Sequence, residues 1–414
     1  MKEKQSPAMR DWQTILLTGL LGIPIGVLVG AVDTVFGRVL LWIGDFRSAH
    51  VLWLVPFLAA AGICITWYYT RFGGKSAKGM TLVFEVGHGE EEHIPLRLIP
   101  FVMLGTWLTH LFGGSAGREG VAVQLGAAIS HWFGKRMPIP NASRIFLVTG
   151  MAAGFAGLFQ TPIAATLFAL EVLAAGMLEY SALFPALTAA FSASTVSHLL
   201  GLEKFTFALQ TEAALDLRML CRLLVLGVIF GLAGGGFAWC LKHAKQHAAE
   251  RFPNPLLRIA VMGICLSVLL LVLHMGRYCG LGTNLISGSL SGTDYYWYDW
   301  LLKFLLTVGT LAAGFQGGEV TPLFSIGAGL GAVLAGFLGL PVEFAAALGY
   351  AAVFGSATNT FLAPIFIGVE VFGAAYAPCF FVVSAAAYAV NRNQCIYTKQ
   401  KVVRQIEPVF PEEQ

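Results

Sequence analysis

Read only as apolar and polar positions, the chain alternates long charge-free stretches with short hydrophilic ones. No Asp, Glu, Lys or Arg occurs in Trp12–Val32, Ser48–Thr70, Ile145–Leu170, Tyr180–Leu202, Ile259–Met275, Val320–Pro341 or Phe344–Val369. About 20 apolar residues in helical form cross the hydrocarbon of a bilayer, and a backbone in lipid must satisfy its own hydrogen bonds. The pattern therefore predicts a polytopic, all-α membrane protein with roughly ten or more spans, some of them short or tilted. Within the first stretch, "GIPIGVLVG" sets Gly22, Gly26 and Gly30 at four-residue spacing, a small face that lets two helices approach closely.

Composition agrees: of 414 residues, 57% are hydrophobic and 12% charged, about half the charge of a soluble domain. The net charge of +3 is too small and scattered for a nucleic-acid surface. Basic residues gather in the hydrophilic pieces: Lys2, Lys4 and Arg10; Arg71, Lys75 and Lys78; Lys135, Arg136 and Arg144; Lys242, Lys245 and Arg251; Lys399, Lys401 and Arg404. The positive-inside rule places several of these, and both termini, in the cytoplasm. The N-terminal apolar run is too long for a signal-peptide core and no cleavage signal follows it, so it reads as a first span. Seven cysteines without a Cys-x-x-Cys read as small core residues. Nothing calls for a cofactor. His88 and His93 beside Glu90–Glu92 read as a solvated loop, with no further ligand at metal-site spacing.

The chain also echoes itself. "GMAAGFAGLFQTPIAATLFALEV" (150–172) and "GYAAVFGSATNTFLAPIFIGVEV" (349–371) are identical at eight of 23 positions, including Thr161/Thr360 and Glu171/Glu370. Upstream of each lies a Gly-rich break, "GGSAGREGVAVQLGA" (113–127) and "GFQGGEVTPLFSIGA" (314–328), in which Gly113, Gly117, Gly126 and Ala127 recur as Gly314, Gly318, Gly327 and Ala328. Interrupted apolar segments at matching places in two halves point to a duplicated transporter with its ion site near mid-membrane. A helix that starts inside the membrane offers unpaired N–H groups and the positive end of its dipole. Such an end suits an anion.

With "GREG" at 117–120, the apolar helix after it and the duplicated break, the chain resembles the CLC family of chloride channels and anion/proton exchangers, over about residues 12–407. The resemblance implies two inverted repeats of tilted and broken helices (about 12–203 and 214–390), a C-terminal helix over about 391–407, and a homodimer with one pore per subunit. It implies no cytoplasmic regulatory domain, since little chain follows Arg404. The departures are informative. The family's "GREGP" reads "GREGV" here, with Val121 for proline; its "G-x-F-x-P" reads Gly318, Glu319, Val320, Thr321, Pro322; and Met80, in "KGMTLVFEVGHG", stands where a serine usually faces the anion. A chain so changed is similar to the bacterial fluoride-exporting branch, which exchanges fluoride for protons across the inner membrane.

That resemblance assigns roles. Glu119 becomes the gate, competing with the anion when ionised and carrying a proton when neutral; a charged carboxylate at bilayer depth costs roughly 3 kcal/mol, so it should face a cavity. Its neighbour Arg118 is expected to point elsewhere, since adjacent helical side chains diverge, and either to anchor backbone at the outer vestibule or to draw anions inward. Gly117, Gly120 and Val121 are expected to line the anion site with Arg118, the glycines by shaping the backbone of the first break. Backbone N–H groups of Glu319 and Val320, with the Thr321 hydroxyl, are expected to line the anion seat, and Glu319 is either a proton-path residue or a helix-end carboxylate. Met80 would remove a hydroxyl donor, and Tyr397 would bring a phenol to the central anion. Glu171 and Glu370, matched across the repeat, read as helix caps. Glu203, near the place of an inner proton glutamate in chloride exchangers, is left without a role. The rival functions are a chloride/proton exchanger, a passive chloride channel, and a serine hydrolase built on "GGSAG" around Ser115 with His110 or His131; the last lacks the strand-to-helix turn such a nucleophile needs.

Overall fold

A computed structural model describes residues 7–211 and 215–402, with side chains from Trp12 onward. The first half comprises α1 (Pro7–Ala49), α2 (Val51–Leu54), α3 (Leu58–Tyr68), α4 (Met80–Gly87), α5 (Leu98–Leu111), α6 (Glu119–Gly134), α7 (Ala142–Phe159), α8 (Pro162–Glu171) and α9 (Leu183–Leu199). The second comprises α10 (Leu217–Arg251), α11 (Pro255–Val272), α12 (Thr283–Ser291), α13 (Asp299–Ala313), α14 (Val320–Leu338), α15 (Val342–Thr358), α16 (Leu362–Phe372) and α17 (Ala377–Val390). Among the described residues, seven helical runs are long and apolar enough to cross a membrane, and shorter apolar helices such as α5, α8, α15, α16 and α17 accompany them. The chain is thus a multi-pass helical membrane protein. The 38-residue run Trp12–Ala49 rises about 57 Å at ~1.5 Å per residue, more than the hydrocarbon is thick, so it tilts or projects.

The halves repeat in detail. Each break is followed by a long helix, a second helix, a left-handed residue and a short helix. The left-handed residues are Gln160 (φ 57°) between α7 and α8 and Asn359 (φ 53°) between α15 and α16, partners in the sequence echo. Packing repeats as well. A Cβ on Gly126 would collide with the carbonyl of Gly150, and one on Gly327 with that of Gly349, so α6 crosses α7, and α14 crosses α15, backbone against backbone. The small face of α1 meets α9 in the same way: Gly26 lies on the Ala189 carbonyl and Gly30 on that of Ala193.

The helices beginning at the breaks and their partners are buried along almost their whole length. Around them α1, α3 and α11 turn large apolar side chains outward, Leu20, Trp42, Trp67, Ile264 and Val272 among them, as a lipid boundary requires.

One expectation fails. Residues 391–402 are turns and a short extended segment, not a C-terminal helix. Arg392 and Asn393 take φ of 56° and 59°, which ends the α17 turn, and the chain folds back inward: Ile396 N–H donates to Ala357 O (2.9 Å) and Lys401 N–H to Leu173 O (3.2 Å). Lys401–Val402 then pairs in parallel with Ala174–Ala175, a small strand contact in an otherwise helical fold. The remainder of the expected helix, 403–407, lies outside the described residues.

Candidate anion and proton site

The two breaks meet. Gly117 N–H donates to Gly318 O (2.6 Å) and Gly318 N–H to Gly117 O (2.8 Å), an antiparallel bridge joining the halves at equivalent residues. From it α6 and α14 depart, so two helix N-termini converge on one place. Glycine is required at 117, where a Cβ would stand 2.8 Å from Pro322 Cδ. Its N–H is committed to the bridge, so Gly117 shapes the site and cannot donate to an anion.

Glu119, the first residue of α6, is buried to 1% exposure. Its carboxylate crosses to the other half: Oε2 accepts from the Thr321 N–H (3.1 Å) and from the Thr321 hydroxyl. The Arg118 N–H approaches the same oxygen at 3.3 Å. The carboxylate thus sits on the positive end of α14, in the place that fits an anion. Both donors from α14 are Thr321's: its hydroxyl was expected at the seat beside the N–H groups of Glu319 and Val320, and its N–H was not singled out. Thr321 faces inward because α14 starts one residue after Glu319, its N-cap.

Arg118 also departs from expectation: its Nε lies 3.7 Å from Glu119 Oε1. Divergence of neighbours holds inside a helix, but Arg118 is the N-cap, with φ −129° and ψ −24°, which turns its side chain back toward Glu119. Nε and Nη1 of Arg118 are buried without a hydrogen-bond partner. The Val121 N–H donates to Arg118 O at 3.1 Å, a bond that proline could not make.

Below this seat opens a cavity of about 290 Å³, lined by Met80, Phe84, Gln124, Glu319 and Tyr397, with Lys78, Lys245 and Lys399 also on its wall. Met80 opens α4, and its methyl faces Gly120: a Cβ there would lie 4.0 Å from Met80 Cε and 4.0 Å from Glu319 Oε2. Gly120 therefore keeps the space between seat and cavity free. Glu319 is half-buried, with Lys245 Nζ 3.7 Å from Oε1. Tyr397 stacks near Phe84 at 5.1 Å, and its hydroxyl is buried with no partner among the described residues. Such an orphaned donor calls for an acceptor. Glu203 is exposed and away from this cavity.

Several contributors were not singled out from sequence. Gln124 follows Gly120 by one helical turn, donates to Gly120 O at 3.2 Å and keeps Oε1 unpaired; its i+4 spacing was the available signal. Tyr350, on α15, is stacked flat on Phe324 (4.1 Å, 4°) and lies within electrostatic reach of Glu119 and Arg118. No local pattern marked it. Lys78, Lys245 and Lys399 were visible only as topology charges, in three separate clusters.

The remaining predicted residues fall elsewhere. Glu171 accepts from the N–H groups of Phe361, Leu362 and Ala363, and Glu370 from those of Ile163 and Ala164. Each half's glutamate caps the other half's short helix. Ser115 is fully buried and bonded to Thr307 Oγ1 and Lys303 Nζ, both at 2.9 Å; His110 engages the Thr106 and Ala116 carbonyls. Ser115 is therefore placed as a structural hydroxyl, not a nucleophile. His88 contacts Lys399 O at 3.0 Å.

Comparison with known proteins gives a consistent answer. The family model described as "Voltage gated chloride channel" matches residues 61–392. A chloride/fluoride channel protein of Pseudomonas syringae pv. tomato is 36% identical over 96% of this chain and 87% of its own length. The H(+)/Cl(-) exchange transporter ClcA of Salmonella arizonae is 25% identical over 77% of this chain and 72% of its own. A solved CLC-type fluoride/proton antiporter superposes with a TM-score of 0.92 at 56% identity, covering 94% of this chain and 98% of that one. A slow cyanobacterial Cl−/H+ antiporter gives 0.77 at 20% identity, a likeness of fold.

Proposed function

Because the chain belongs to the voltage-gated chloride channel (CLC) family, we propose that it is a fluoride/proton antiporter, exporting fluoride on the inward proton gradient with Glu119 as its protonatable gate. One observation carries the reading: the Glu119 carboxylate, buried to 1%, takes the donors of Thr321 at the start of a helix whose foot opens on a cavity. A carboxylate in an anion's seat makes anion and proton interdependent. Fluoride can enter when the carboxyl is protonated and gives up the N–H and hydroxyl of Thr321; loss of the proton returns the carboxylate and expels the anion.

The cavity residues fit this cycle. Fluoride holds its water tightly, so its seat must supply close, strong donors, and the Thr321 donors and the unpartnered Tyr397 hydroxyl are such groups. Met80 takes away the hydroxyl on which a chloride-selective site would rely. Glu319 stands on the cavity wall beside Lys245 and serves as the relay between Glu119 and the aqueous side. Lys78, Lys245 and Lys399 concentrate anions at the mouth. With these lysines the cavity opens to the cytoplasm, and the protein resides in a bacterial inner membrane with both termini inside. It works as a homodimer with one pore per subunit; the outward apolar side chains Leu183, Phe184 and Phe191 on or beside α9 and Phe381 on α17 suit a subunit interface.

The test is flux in reconstituted vesicles. An outward fluoride gradient should drive protons inward against their own gradient, chloride should substitute poorly, and Glu119→Gln should abolish the proton movement. Equal driving by chloride would return the protein to the chloride exchangers. Fluoride flux without proton movement would make it a channel.

A further inference from the structure

A second, larger chamber, of about 650 Å³, is walled by Leu40, Arg47, His110, Cys279, Gly282 and Thr283. It sits at the His110 end of α5. The opposite end of α5 leads from the loop whose Glu90 and Glu91 bind Lys399 and Lys78, two residues of the first cavity's wall. Fourteen helical residues separate the two ends by about 20 Å, so the chamber opens on the other side of the protein.

Two independent features of its wall ask for an anion. Arg47 is 9% exposed and lines the chamber, yet its guanidinium has one hydrogen bond, from Nη1 to His110 O (3.1 Å). The α12 N-terminus ends in the same wall with no side-chain cap. Its first bonded amide is that of Leu285, which leaves the Thr283 and Asn284 N–H groups without an acceptor among the described residues. Behind the wall Lys303 is fully buried and bonded to uncharged groups alone: Ser115 Oγ, Tyr278 O and Gly280 O. Arg277, also on the wall, is neutralised by Asp294 and Asp299, and Asp45 stands exposed at the rim. Among the described residues no carboxylate is bonded to Arg47 or to Lys303.

We propose that this chamber is a second anion site, in which the free edge of the Arg47 guanidinium and the first α12 amides hold one compact anion. The geometry is that of a helix N-terminus backed by a fork of N–H donors. The ligand is a free halide at the far mouth or the phosphate of an anionic lipid headgroup, which present the same chemistry.

Crystals of the full-length, detergent-washed protein soaked in bromide separate these cases through anomalous diffraction. The expected result is a bromide peak between Arg47 and the Thr283 amide, lost in Arg47→Gln. It should be lost equally in Thr283→Glu, an exposed substitution that keeps the fold and puts a tethered carboxylate in the seat. A peak that survives added phosphatidylglycerol identifies a free anion. A peak displaced by that lipid, with one retained lipid fewer in Arg47→Gln by native mass spectrometry, identifies the headgroup. Wild-type protein with neither a bromide peak there nor an Arg47-dependent lipid overturns the proposal.

Discussion

The two Gly-rich breaks, 113–119 and 314–320, share a backbone and differ in where each puts its carboxylate. Gly117 and Gly318 are equivalent and bond to one another; one residue on, Arg118 faces Glu319, and two residues on, Glu119 faces Val320. A shift of one position sends the first carboxylate across the interface onto α14 and leaves the second on the cavity wall beside Lys245. Glu171 and Glu370 show the opposite case. They are matched in sequence and reciprocal in space, each capping the other half's short helix. The matched glutamates tie the halves together, whereas the unmatched pair stands at the seat (Glu119) and on the cavity wall (Glu319).

That contrast can be broken from either side. The largest effect is expected at the asymmetric carboxylate: Glu119→Gln should cut fluoride-driven proton movement in vesicles by roughly 100-fold or more, the scale of losing a proton-transferring group, while the purified protein stays folded.

Next comes the bridge, whose two glycines are equivalent in sequence but not in room. A Cβ at 117 meets Pro322 Cδ at 2.8 Å, whereas one at 318 comes no nearer than 3.1 Å, to Gly120 N. Gly117→Ala should cost about 2 kcal/mol, the usual penalty of overpacking, and Gly318→Ala clearly less, as measured by unfolding in detergent. Equal costs would mean that the bridge is looser than it looks.

The symmetric caps should behave alike and leave transport intact. Glu171→Ala and Glu370→Ala should each lower stability by about 1 kcal/mol, as lost caps do, Glu171 the more because it holds three N–H groups against two. The ratio of protons to fluoride moved should be unchanged.

The smallest effect is at the mouth. Glu90 is held below the usual carboxylate range by its hydrogen bond from Lys399, and Glu91 by those from Lys75 and Lys78. A depressed folded value stabilises above the unfolded one, near ~4.3, and that contribution vanishes as pH falls through the folded value. Protection of the 88–93 amides, measured as exchange relative to the intrinsic rate at each pH, should therefore be flat from neutrality to about pH 5 and fall only below about pH 4.

Much of this was legible in the chain. Charge-free windows gave the membrane class, because lipid tolerates few charges. The echo gave the two halves and the capping role of Glu171 and Glu370, because duplicated residues keep duplicated contacts; that the caps cross and that Gln160 and Asn359 are left-handed came from the structure. Lone charges in apolar sequence gave Glu119 and Glu319. What sequence could not give was the register of contacts across the halves. The Thr321 N–H joins its hydroxyl on the Glu119 carboxylate, Arg118 folds back, and Gly117 is used up in the bridge; each depends on where α6 and α14 start to within one residue. Gln124 and Tyr350 come to the site through packing alone. The expected C-terminal helix failed for a local reason, the left-handed pair Arg392 and Asn393, which ordinary propensity does not foresee.

The central claim is that fluoride and the ionised Glu119 contend for one set of donors on Thr321. It is tested most directly by titrating fluoride into the purified, weakly buffered protein near neutral pH while recording both bound fluoride and solution pH. Wild type should take up about one proton per fluoride bound, and Glu119→Gln should bind fluoride with no proton uptake. Fluoride binding to wild type that leaves the pH unmoved would contradict the account.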